Sequence, residues 1–94
     1  MIKSISIVIP SYNESKNIPE LYRKLETVLS KLNLEDYEII FIDNGSIDNS
    51  LEILKEINSS NKRVKTISFS RNFGQENAIM AGIKYMKKEN LFII

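Results

Sequence analysis

Three polar loops, each directly following a strand-like apolar run, carry side chains that could do chemistry together. Pro10-Ser11-Tyr12-Asn13-Glu14 follows the run Ile5 to Ile9. Asp43-Asn44-Gly45-Ser46-Ile47-Asp48 follows Glu38 to Ile42, and Arg71-Asn72-Phe73-Gly74-Gln75-Glu76 follows Val64 to Ser70. A carboxylate at the end of a buried apolar strand is costly unless something satisfies it. Two kinds of partner suit Asp43: the imino N–H of a uracil, thymine or guanine base, or the backbone N–H groups of Gly45 or Ser46 in a capped turn. Tyr12 offers a flat ring on which a base can stack, worth about 1–3 kcal/mol in nucleic-acid complexes; the other reading is a packing aromatic. Glu14 can hold ribose hydroxyls or an exocyclic amine, or be a solvated charge ahead of a helix. Arg71 can grip phosphate oxygens with its guanidinium fork or pair with Asp48 or Glu76. Gly74 permits a tight turn or close ligand approach, and Asn72 suits a turn.

Composition removes several alternatives. With no cysteine and no histidine, disulfides, thiolate metal sites and Ser-His-Asp or Cys-His catalysis are excluded. Only carboxylates and carbonyls remain as metal ligands, which favours hard ions such as Mg2+ or Mn2+. No Gly-x-Gly-x-x-Gly or Walker lysine loop occurs, so phosphates must be met by a metal, by Arg71 or by residues beyond Ile94. The balance of 13 basic and 12 acidic residues, net +1, gives no bulk drive toward nucleic acid or an anionic membrane. A hydrophobic fraction of 43% in 94 residues fits one small globular unit or part of a larger one. No apolar run approaches the roughly 18 residues of a membrane-spanning helix.

The elements that must position these loops alternate in type. Residues 4–10, rich in β-branched side chains and apolar at almost every position, predict a first strand covered on both faces. Ile18, Leu21, Tyr22, Leu25, Val28, Leu29 and Leu32 form one helical stripe over 17–32. Asn17 and Glu20 are placed for a capping box there, and Pro19 suits the first turn. A second strand over 37–43 precedes a helix capped by Ser46 or Asp48 and ending near Asn58. A third strand over 64–70 precedes a helix from Gln75–Asn77, and a fourth strand opens at Leu91. Ala78, Ala81 and Gly82 are small enough to let the third helix sit close to the sheet. Lys84, Lys87 and Lys88 read as a solvated face. This β-α-β-α-β-α-β order predicts an α/β fold, a mainly parallel sheet with right-handed crossovers and helices on both faces. Its three loops then emerge together at the carboxyl ends of the strands, where such sheets bind ligands.

The ordered set Ile7-Val8-Ile9-Pro10-Ser11-Tyr12-Asn13-Glu14, Ile42-Asp43-Asn44-Gly45-Ser46-Ile47-Asp48 and Ser70-Arg71-Asn72-Phe73-Gly74 resembles the inverting family 2 glycosyltransferases of GT-A fold. The nearest likeness is to their polyprenyl-phosphate branch, which includes dolichol-phosphate mannosyltransferase. The resemblance implies a Rossmann-like, nucleotide-binding half of a GT-A fold. In it Pro10, Tyr12 and Glu14 line the nucleotide pocket, Asp43 contacts the base, and Arg71, Asn72 and Gly74 lie on the sugar-diphosphate or acceptor side. The family usually has two consecutive aspartates where this chain has Asp43 and Asn44. Its Asp-x-Asp motif, which holds Mg2+ or Mn2+ on the diphosphate, and its catalytic base come later than Ile94. Residues 1–94 are therefore expected to be a soluble, inactive N-terminal part of a longer enzyme. That enzyme is expected to move a hexose from a UDP- or GDP-sugar to a polyprenyl phosphate for cell-surface glycan synthesis, at the cytoplasmic side of a membrane that it meets through its later segments. An unpaired fourth strand would favour homo-oligomers. Rival readings are transfer to a polysaccharide or other glycan, a nucleotide-binding module without transfer chemistry, and a phospho-receiver domain. The last needs an acidic cluster after strand one and an aspartate after strand three, where this chain has Ser70-Arg71.

Overall fold

The computed structural model describes residues 4–88 and 90–94. The elements run β1 Ser4–Ser11, α1 Ile18–Lys31, β2 Asp36–Asp43, α2 Ser50–Ser60, β3 Val64–Ser68, α3 Gln75–Tyr85 and β4 Asn90–Ile93. All strand pairs are parallel, in the order β3-β2-β1-β4. The chain steps outward from β1 through β2 to β3, then returns to lie on the far side of β1. Right-handed crossovers put the first two helices on one face and the third on the other, and the packing follows that rule. Leu21, Leu25, Ile53 and Ile57 of α1 and α2 pack on Ile5, Ile7, Ile9, Ile39 and Phe41. Ala78 of α3 packs with Val8, Ile40 and Ile42 on the opposite face.

The two central strands carry most of the core. Ile39, Ile40, Phe41 and Ile42 are at most 1% exposed, successive residues facing opposite layers; each such burial is worth about 1.5–3 kcal/mol. Glycine brings α3 down onto the sheet. A Cβ at Gly82 would lie 2.3 Å from Cγ1 of Val8, so no larger residue fits this crossing as built. That is the close approach expected from the small residues of this helix.

Several local expectations are corrected. Asn17 does not cap α1 through its side chain; its amide donates backward to Glu14 Oε2 at 2.7 Å, so the capping box does not form. α2 starts at Ser50 and runs on to Ser60, with neither Ser46 nor Asp48 as its N-cap. β3 ends at Ser68, two residues early. Lys88 is not a solvated charge: Nζ pairs with Asp36 Oδ2 at 2.7 Å and the side chain is 25% exposed. Glu38, 1% exposed in the middle of β2, accepts from Ser6 Oγ, Lys65 Nζ and the Lys87 amide. Burial raises its pKa, but those donors outweigh burial and the net shift is downward.

Candidate functional site

The first loop leaves β1 at Ser11, whose register partner is Asp43 at the end of β2. The ladder runs on past both strands: the Asn44 amide donates to Ser11 O, and the Phe69 amide to Asp43 O, each at 2.9 Å. All three loops are thereby held at one edge of the sheet, beside the point where the strand order reverses.

The first two loops are stapled together by side chains. Asn13 stands in the left-handed region at φ 52°, a conformation that asparagine tolerates better than most residues. Its Oδ1 accepts from the amides of Ile47 (2.9 Å) and Asp48 (3.3 Å), and its own amide donates to Ser46 Oγ at 2.9 Å. The Glu14 amide donates to Ser50 Oγ, which donates to Asp48 Oδ1; the Ser15 amide donates to Asp48 Oδ2. Hydrogen bonds from the Ser50 hydroxyl and amide and from Ser15 hold the Asp48 carboxyl at about 2, against an opposing effect of burial second only to that of the Ser50 hydroxyl. The second and third loops touch through backbone. Gly45, at φ +77°, lies so close to the third loop that a Cβ there would be 2.2 Å from the Arg71 carbonyl carbon. The Asn44 carboxamide completes this contact, donating to Gly74 O at 3.1 Å and accepting from the Phe73 amide at 3.0 Å.

Between these loops lies an open cleft of about 400 Å³. Pro10, Ser11, Tyr12 and Glu14 form one wall, Asn72, Gly74 and Gln75 the other, and Asn44 and Ile94 complete the lining. Tyr12 is 41% exposed, so its ring is open to a ligand rather than a core aromatic. Of the seven residues singled out in the sequence, five line this cleft and two do not. Asp43 is 2% exposed, and its Oδ1 is buried with no hydrogen-bond partner among the described residues; the capped turn through Gly45 or Ser46 is not formed. Arg71 lies exposed on the third loop, its guanidinium 4.7 Å from the centre of the Phe73 ring, and pairs with neither Asp48 nor Glu76. Sequence reasoning did not assign Ser11 or Asn44 to the pocket. The signal available for Ser11 was its place at a strand end; for Asn44 it was an amide beside an expected site aspartate.

Among the described residues no group of three or more Asp or Glu side chains is gathered as metal ligands. These residues alone do not fit a divalent cation, and no chemical step is assigned through one. No helix among them is long and apolar enough to cross a membrane.

Comparison with known proteins places this geometry. CsbB of Bacillus subtilis (strain 168), named as a glycosyltransferase, is 43% identical over 90 residues, covering 96% of this chain and 27% of CsbB. YkcC of the same organism, named as an uncharacterized glycosyltransferase, is 45% identical over 89 residues, covering 95% and 27%. The chain thus spans about a quarter of the length of these relatives. In fold it superimposes on the crystal structure of S. aureus TarS with a TM-score of 0.82, at 22% identity over 97% of this chain and 16% of TarS. The mannosyltransferase PcManGT from Pyrobaculum calidifontis, solved with GDP-Man and Mn2+, gives 0.72 at 16% identity over 90% of this chain and 25% of PcManGT. The four-stranded parallel sheet is therefore that of GT-A glycosyltransferase structures. The family model for glycosyl transferase family 2 matches residues 6–94, and with nearly the whole chain covered, this protein belongs to that family.

Proposed function

We propose that this chain is the nucleotide-sugar-binding part of an inverting glycosyltransferase that moves a hexose from a UDP- or GDP-sugar to a polyprenyl phosphate. The observation that carries the donor side is the cleft at the carboxyl edge of the sheet, walled by Tyr12 and Glu14 opposite Asn72 and Gly74. In this reading the base stacks on Tyr12 and Glu14 takes the ribose hydroxyls. Asp43, whose Oδ1 has no partner among the described residues, accepts the imino N–H of the base once the strand end opens to admit it. A buried acceptor without a donor costs about 1–3 kcal/mol, and a uracil or guanine base would remove that cost.

Arg71 supports a phosphate-bearing acceptor. Its guanidinium lies over the Phe73 ring on the third loop without an ion-pair partner among the described residues, and a guanidinium fork suits phosphate oxygens. The acceptor phosphate oxygen attacks the anomeric carbon. The bond from that carbon to the nucleotide diphosphate oxygen breaks on the opposite face, its electron pair leaves with the diphosphate, and the configuration inverts. Mg2+ or Mn2+ on the diphosphate, the catalytic base and membrane association are assigned to polypeptide outside the described residues. Residues 1–94 alone are accordingly expected to catalyse no transfer.

The test is a transfer assay with the intact enzyme, radiolabelled UDP- and GDP-hexoses and undecaprenyl phosphate. A lipid-linked hexose of inverted configuration is expected. Transfer to a polysaccharide or another glycan with none to the lipid would refute the acceptor, and robust metal-dependent turnover by residues 1–94 would refute the division of labour.

A further inference from the structure

The two walls of the cleft are fastened by separate devices. The Tyr12 wall is tied to the second loop by Asn13, Ser46, Asp48 and Ser50. Among the described residues, the Asn72–Gly74 wall is tied to it by the side chain of Asn44, together with the bare backbone approach of Gly45. Asn44 is 5% exposed and spends both ends of its carboxamide on this contact. Nδ2 donates to the Gly74 carbonyl, which also accepts the Ala78 amide at 3.2 Å as the first bond of α3. Oδ1 accepts from the Phe73 amide. Gly74 itself stands at φ 92°, and its amide donates to Asn72 Oδ1 at 2.8 Å. One buried amide thus sets where the third loop stops and where α3 starts.

We propose that Asn44, at a position the family usually fills with aspartate, is a positioning residue for the diphosphate side of the donor, and that the third loop as built in this chain requires its amide. A carboxylate at this position keeps the bond from Phe73 but turns an acceptor oxygen toward the Gly74 carbonyl oxygen. That replaces an attractive contact with a repulsive one at a residue only 5% exposed. The wall that moves is the Asn72–Gly74 wall; the Tyr12 wall, fastened elsewhere, stays. Asn44 thereby separates two properties that most destabilising changes lower together: grip on the nucleoside and grip on the diphosphate.

This inference rests on the nucleotide-sugar reading of the cleft, and the experiment separates the two. In the intact protein, Asn44→Asp is compared with wild type for binding of uridine and guanosine, then of UDP and GDP, by calorimetry. Loss of one buried donor is expected to weaken diphosphate binding about ten-fold, with nucleoside binding changed less than about two-fold. Equal loss for nucleoside and diphosphate, or no loss for either, overturns the assignment. Hydrogen exchange in Asn44→Ala provides the arm that needs no ligand. The Phe73 amide is expected to lose protection while the core amides of β1 and β2 keep theirs; unchanged protection at Phe73 overturns the clasp. Should wild type bind no nucleotide, the reading of the cleft fails, while the exchange result still decides what Asn44 holds.

Discussion

Replacing Gly82 by alanine sets two effects of opposite sign against each other, and the structure says which wins. In an exposed helix the change would stabilise by about 1 kcal/mol, because glycine has the higher backbone entropy to lose. Here the new Cβ would lie 2.3 Å from Val8 Cγ1 and 3.1 Å from Cγ2, and Val8 is fully buried between β2 and β4. Carbon atoms settle about 3.5–4.0 Å apart, so the helix or the strand must give by more than an ångström in a close-packed layer. Overpacking on that scale costs about 1–3 kcal/mol, and a contact this short belongs at the upper end. Gly82→Ala is therefore expected to lower stability by about 1–2 kcal/mol net. Val8→Ala alone is expected to cost about 2 kcal/mol in lost methyl burial and residual cavity. In the double variant the new methyl occupies the space that the old ones vacate, so the combined loss should fall short of the sum by about 1–3 kcal/mol. Urea denaturation of the four proteins with a common m-value reads all three quantities. A Gly82→Ala protein as stable as wild type, or losses that simply add, would refute the close seating of α3 and with it the placement of the Asn72–Gly74 wall.

Gly45→Ala meets rigid backbone rather than a side chain, with Arg71 C at 2.2 Å and Asn72 N at 2.5 Å, in a left-handed conformation at φ +77°. It should cost at least about 2 kcal/mol in a denaturation midpoint and displace the third loop, weakening UDP or GDP binding in a titration. Acid should destabilise the fold through three carboxyls whose folded pKa values are depressed. Asp36 is held well below the usual carboxylate range by the Lys88 ammonium, the Tyr37 amide and Arg63; Asp48 is held at about 2 by Ser50 and Ser15; Glu38 is lowered on balance. A depressed pKa contributes stability that is complete above the unfolded value and is lost as pH falls through the folded one. Stability measured against pH should thus be flat above about pH 5 and decline from there toward pH 2, and the decline should become shallower in Asp36→Asn.

What the sequence made legible, and what it did not, divides by the range of the interactions. Strands and helices were readable because their signals are local: runs such as Ile39-Ile40-Phe41-Ile42 for a doubly covered strand, and the Leu21, Leu25, Leu29 stripe for a one-sided helix. The direction of the sheet followed from the alternation alone, and that placed the three loops on one edge. Within the loops, residue types singled out Tyr12, Glu14 and Gly74, each with a second reading as packing aromatic, solvated charge or turn, and all three line the cleft. The polar clasps did not show. Asn13, Asn44, Ser46 and Asp48 act through one or two hydrogen bonds each to backbone about thirty residues away, and nothing in the neighbourhood of an asparagine reveals which distant amide it will meet. Asn17 illustrates the reverse failure: its local capping pattern was present, but a bond to Glu14 took the side chain instead. Lys88 looked solvated because helix position was the only guide, and its partner Asp36 comes from the far strand β2.

The edge loops, on this reading, gather a stacking ring and two carboxylates around a nucleotide. Titration of the protein with UDP and with GDP, followed by calorimetry and by amide NMR shifts, puts that arrangement to the sharpest test. Saturable binding that favours one of the two is expected, with shifts concentrated at Tyr12, Glu14 and Asn72–Gly74. That binding should be lost in Asp43→Ala and Tyr12→Ala proteins that remain folded. Absence of binding to either nucleotide, or binding that persists unchanged in both variants, would overturn the arrangement.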